Sequence, residues 1–104
     1  MLHITSSNFQ KYVLENPRPV VVMFYASWCS KCAMMKPIAE EMERYFRKNV
    51  EFFEIDYEKS SFLSEQYQID IVPTFLCFQN GTCIGILQGL LDETTFSKRL
   101  QKIF

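Results

Sequence analysis

The chain has 104 residues with 48% hydrophobic, 22% charged and 15% aromatic content, enough apolar material for one folded core and no more than one domain. That balance excludes intrinsic disorder, which needs low hydrophobicity and high net charge. Eleven Lys and Arg against twelve Asp and Glu leave a formal charge of −1, so no global field draws the chain to nucleic acid or an anionic membrane. The whole of residues 1–104 is expected to form a single unit, since no repeat, low-complexity tract or linker interrupts it.

The start, Met1-Leu2-His3-Ile4, has no basic segment followed by an apolar run, which predicts no secretory signal and a cytoplasmic location. His3 is expected on a short N-terminal strand at the surface. Ser6-Ser7-Asn8 supplies N-cap candidates for a helix reaching about Asn16, where Asn16-Pro17 ends it. Val20 to Tyr25 is continuous, apolar and β-branched, the pattern of a strand buried on both faces.

After Cys29 the period changes. Cys32, Met35, Ala39, Met42 and Phe46 fall on one stripe at spacings of three and four, an amphipathic helix. Glu40 with Arg44 and Glu43 with Arg47 are expected to pair on its outer face. Pro37 removes one backbone donor from it and predicts a kink. Val50 to Asp56 reads as the next strand and Ser60 to Tyr67 as a short helix. Thr74 to Gln79 and Thr82 to Leu87 are strands joined by Asn80-Gly81, a strong hairpin signal. Asp92 caps a last helix to about Ile103, with Lys98, Arg99 and Lys102 where the dipole favours cations. A βαβ half followed by a hairpin predicts an α/β fold, a mixed sheet with helices on both faces.

The chemistry concentrates in Cys29-Ser30-Lys31-Cys32, where a buried strand hands over to a helix. Free backbone N–H groups and the dipole at a helix N-terminus favour a thiolate at Cys29, and the cation of Lys31 adds to them. Cys32, one turn further in, is placed to close a disulfide and to resolve a mixed one. This makes Cys29 the nucleophile and Cys32 the resolving thiol. The competing reading is half of a zinc site, but zinc wants four ligands and the only others on offer are Cys77, Cys83 and His3. In a two-residue hairpin Phe78 would pair with Cys83 and Cys77 with Ile84. Cys77 and Cys83 then face opposite sides of the sheet and read as buried small hydrophobes, with Cys83 the better candidate for a regulatory thiol.

The run Phe24-Tyr25-Ala26-Ser27-Trp28-Cys29-Ser30-Lys31-Cys32, with Pro37 in the following helix and Ile71-Val72-Pro73-Thr74-Phe75 later, resembles the thioredoxin family. Pro73 follows Cys29 by 44 residues, and Asn80-Gly81 and Gly89 also fall where the family has them. The resemblance covers nearly the whole chain and implies strand order 1-3-2-4-5. It implies a thiol–disulfide oxidoreductase that reduces protein disulfides, works as a monomer, needs no bound cofactor and is recycled by a thioredoxin reductase. Pro73 would be a cis-proline facing the dithiol. Trp28, Val72, Pro73, Thr74, Gly89 and Leu90 would bind substrate around Cys29, pairing its backbone as an added strand.

The departures are as informative. Ser30-Lys31 stands where typical family members have Gly-Pro. Met23 takes the place of a buried Asp, and Phe52 that of a Lys often found with it. Cys32 is thereby left without an obvious general base. Lys31 implies a slightly more oxidising dithiol, by about 20 mV for a tenfold gain in Cys29 acidity. The other readings left open are an isomerase or oxidase of the same fold, and a redox-inactive interaction module.

Overall fold

The computed structural model describes residues 1–104. Five strands form one sheet in the order β1-β3-β2-β4-β5: β1 (Leu2–Ile4), β2 (Val20–Tyr25), β3 (Glu51–Asp56), β4 (Thr74–Gln79) and β5 (Thr82–Gln88). β2 lies at the centre, parallel to β3 and antiparallel to β4. Its sequence is apolar throughout because both of its faces are covered. Val21 and Met23 point toward α1 (Ser30–Phe46) and α3 (Glu93–Ile103), whereas Val20, Val22 and Phe24 point toward the chain segments around Phe9, Val13 and Leu63. The third helix, α2 (Ser61–Gln66), belongs to that second face.

The expected elements are all present, and the differences have local causes. The first helix is a single π-wound turn at Gln10–Leu14, closed by the Glu15 N–H donating to the Gln10 carbonyl at 2.8 Å. Asn8 does not cap it. The Asn8 side chain turns back and accepts from the Thr5 N–H at 2.8 Å. Asn16 ends the turn by donating from Nδ2 to the Tyr12 carbonyl at 2.9 Å. β3 starts at Glu51 rather than Val50, because the Val50 N–H is held by the Phe46 carbonyl at 2.9 Å.

Helix α1 runs on through Pro37 without a break. Its expected ion pairs are rearranged. Glu40 and Glu43 face the N-terminal ammonium of Met1, at 3.6 and 3.2 Å, so Arg44 pairs with Glu41 instead and Arg47 with none of them. Helix α3 is capped as expected, Asp92 Oδ1 accepting from the Thr95 N–H at 2.8 Å. That bond holds the Asp92 carboxyl below its ordinary range.

The β4–β5 hairpin turns on Asn80 and Gly81, both at positive φ (52° and 77°), the requirement of a type I′ turn. Only the first two pairs keep the expected register, Gln79 with Thr82 and Phe78 with Cys83. Cys77 then pairs with Gly85 and not with Ile84, which is left as the extra residue of a β-bulge. Gly85 lies under the end of α3, where a Cβ would come within 2.7 Å of Ile103 Cδ1. The bulge thus brings the residue with no side chain beneath the helix.

Candidate active site

The backbone leaves β2 at Tyr25 and turns so that the Cys29 N–H donates to the Ala26 carbonyl at 3.3 Å. Cys29 is the N-cap of α1, in extended conformation, and its Sγ accepts from the Cys32 N–H at 3.1 Å. A free amide of the first helical turn is thus spent on sulfur, as the strand-to-helix position predicts. Cys29 and Cys32 are joined by a disulfide, with Cα atoms 5.2 Å apart. Cys29 is partly exposed and Cys32 is 4% exposed, so only the first can meet another protein.

Across from the pair, the Val72–Pro73 peptide is cis, and the Val72 carbonyl oxygen lies 3.7 Å from Cys29 Sγ. The Gly89 N–H donates to the Pro73 carbonyl at 2.9 Å, tying the start of β4 to the end of β5. Gly89 has φ 80°, a left-handed backbone that a side chain would strain. Trp28 is 66% exposed, and its indole N–H donates to Glu58 at 2.8 Å.

The expected residues Trp28, Val72, Pro73 and Gly89 therefore belong to the loops around Cys29, though Pro73 itself is buried. Thr74 differs. Its side chain is 1% exposed and its hydroxyl donates to the Ile71 carbonyl at 2.7 Å, so it fastens the loop and presents no surface. Two exposed apolar side chains extend this region, Leu90 and Ile71. Ile71 was hidden in the sequence by the apolar run that follows it. Ser30 and Lys31 are exposed on the first turn of α1, and Lys31 forms no ion pair.

Beneath the disulfide lies a cavity of about 120 Å³ between β2, β3 and α1. Met23, itself buried, is part of its apolar lining. Glu54, the register partner of Met23 on β3, lines it too, together with Lys36. Burial, helped by Glu54 and Asp56, raises the Tyr25 phenol above its usual range. The sequence signal for Glu54 was a charged residue set between Phe53 and Ile55 in the interior of the strand.

The remaining cysteines lie apart. Cys77 packs on the α1–α3 face and Cys83 against the other. Their opposite orientation holds despite the altered register. No three His, Cys, Asp or Glu side chains converge as metal ligands. Burial pushes the Cys77 thiol up to about 12. It therefore stays protonated and inert at any ordinary pH. On the native, oxidised protein at pH 8, an alkylating reagent is expected to modify Cys83 and to leave Cys77 untouched until denaturant is added. Peptide mass mapping reads the result, and equal labelling of both would refute it.

No helix is long and apolar enough to cross a membrane. The thioredoxin family model matches residues 1–102. A thioredoxin-like protein of Synechocystis is 34% identical over 95 residues, which cover 91% of this chain and 90% of that protein. A thioredoxin of Rickettsia felis is 35% identical over 96 residues, covering 86% of this chain and 91% of its own. A chloroplastic thioredoxin Y of Oryza sativa is 32% identical across 93% of this chain and 58% of its own length. With its five-stranded mixed sheet and the bridged cysteines at the head of α1, the chain belongs to the thioredoxin family and carries the redox-active pair of a thiol–disulfide oxidoreductase.

Proposed function

We propose that this protein reduces disulfide bonds in other proteins. Reduced Cys29 attacks one sulfur of the substrate bridge as a thiolate, expelling the other sulfur as a thiolate that takes a proton from water. Cys32 then loses its proton and attacks Cys29 Sγ. The mixed disulfide breaks, the second substrate sulfur leaves reduced, and Cys29–Cys32 is left oxidised. Two electrons pass from the pair to the substrate, and no bound cofactor takes part. An external dithiol enzyme of the thioredoxin reductase type restores the pair.

The observation that carries this reading is the asymmetry of the two sulfurs: Cys29 partly open at the helix mouth, Cys32 buried behind it. Supporting it is the Val72 carbonyl close to Cys29 Sγ, a backbone acceptor for an extended substrate segment. Trp28, Ile71, Val72, Pro73, Gly89 and Leu90 supply the docking rim in this proposal. Ser30 and Lys31 tune the pair, which acts as a monomer within the single unit 1–104. The reducing chemistry fits a cytoplasmic compartment, where free thiols persist.

Lys31 in the place of a proline gives a second reading some weight, a more oxidising pair that isomerises or forms disulfides. The exposure of Lys31 limits its effect, because solvent screens a surface charge. Equilibration with glutathione separates the two. The expected potential lies about 20 mV above the roughly −270 mV of a thioredoxin. A value near the roughly −180 mV of protein disulfide isomerase would instead favour the second reading. Turnover of insulin with dithiothreitol tests the activity itself, and its absence would leave an interaction module.

A further inference from the structure

We propose that Glu54 is the proton acceptor for the Cys32 thiol, working through water in the cavity that both residues line. This rests on the reductive mechanism above, in which Cys32 must lose its proton before it can attack Cys29 Sγ. With the disulfide regenerated, the same carboxyl returns the proton when the pair is next reduced.

The cavity of about 120 Å³ has room for a few water molecules. Cys29, Cys32, Ala26 and Met23 line it together with Glu54 and Lys36. Among the lining side chains only Glu54 suits the task. The Lys36 ammonium has no lone pair to offer, and the Ser27 hydroxyl and Tyr25 phenol are weak bases. Cys29 is the electrophile in this step. Met23 has nothing to exchange, and Phe52, one pleat further along β3, has no charge to add.

Glu54 is also held in place. Its side chain is 13% exposed, with Lys36 Nζ 3.5 Å from Oε1 and His3 Nδ1 3.7 Å from Oε2. The Tyr25 hydroxyl lies 3.3 Å from that His3 nitrogen. The contacts to the carboxylate come from α1 and β1, Tyr25 of β2 reaches it only through His3, and Asp56 lies two residues on along its own strand. A carboxylate held by two side chains, lining the same small cavity as Cys32, is arranged for proton relay.

The two sulfur steps can be timed separately with 5,5′-dithiobis(2-nitrobenzoate) on the reduced full chain, in a Cys83→Ser background. Capture by Cys29 releases one coloured thiolate, and attack by Cys32 releases the second. In Glu54→Gln the first phase is expected within about twofold of the parent, while the second slows by roughly 10²-fold, the low end of general-base contributions. Glu54→Asp, which keeps the carboxylate but withdraws it by one methylene, lies between the two. A second phase of unchanged rate in Glu54→Gln overturns the assignment, as does Glu54→Asp resolving no faster than Glu54→Gln. A parent that shows no first phase overturns the reductase reading and this one together.

Discussion

Replacing Cys29 by Ser is expected to reduce insulin turnover to the rate of dithiothreitol alone, because no other sulfur can take over the attack. Cys32 is 4% exposed and cannot reach a protein disulfide, Cys77 is sealed in the core, and Cys83 lies on the other face of the sheet. Cys32→Ser has a different signature. Attack by Cys29 still occurs, but the resolving sulfur is gone, and the covalent complex persists on the timescale of uncatalysed rearrangement, minutes to hours. Non-reducing electrophoresis of Cys32→Ser with a disulfide-bonded protein should therefore show a band that dithiothreitol removes. Turnover by Cys29→Ser at the parent rate would refute the assignment of roles. So would Cys29→Ser with Cys32→Ser that still forms the covalent band in a Cys83→Ser background.

The second large effect is on stability. Phe96→Ala is expected to cost about 3–5 kcal/mol, the range for truncating a buried aromatic ring. Phe96 is fully buried and its ring centroid lies 4.7 Å from that of Phe75, so it joins α3 to the sheet at β4. A domain of this size has a total stability of only about 5–15 kcal/mol, so the variant should sit near the edge of folding. Phe62→Ala is the control. Phe62 is 75% exposed on α2, and its removal should change stability by no more than about 0.5 kcal/mol. Urea unfolding of both in the oxidised state reads the contrast. A loss below about 1 kcal/mol at Phe96 would mean that α3 is not anchored there.

Much of this architecture was legible because its strongest signals are local. The uninterrupted Val20–Tyr25 run marks a strand covered on both faces, the stripe from Cys32 to Phe46 marks a helix, and Asn80-Gly81 marks the hairpin. The pair at Cys29 and Cys32 followed from its place between the first two. What escaped depends on neighbours distant in sequence. The pairing of Glu40 and Glu43 with Met1 cannot be read from spacing along α1, since Met1 arrives from β1. The bulge at Ile84 answers to the approach of Ile103, nineteen residues later. Thr74 reads as a rim residue from its place beside Val72 and Pro73, yet its side chain is buried and its hydroxyl donates to the Ile71 carbonyl. The departure at Met23 was visible from the start, but its counterpart Glu54 emerged only from the β2–β3 register.

The irregular pairing at Ile84 also shapes the open border of the sheet. β5 is the outermost strand, and Ile84 and Ile86 are both exposed on it. A straight border with two such side chains would offer a template for a second chain to add on. The bulge bends that border and leaves one residue out of step, so an incoming strand cannot form a continuous ladder of bonds along it. One unpaired isoleucine thus does for this sheet what lysine or proline does at the margins of others.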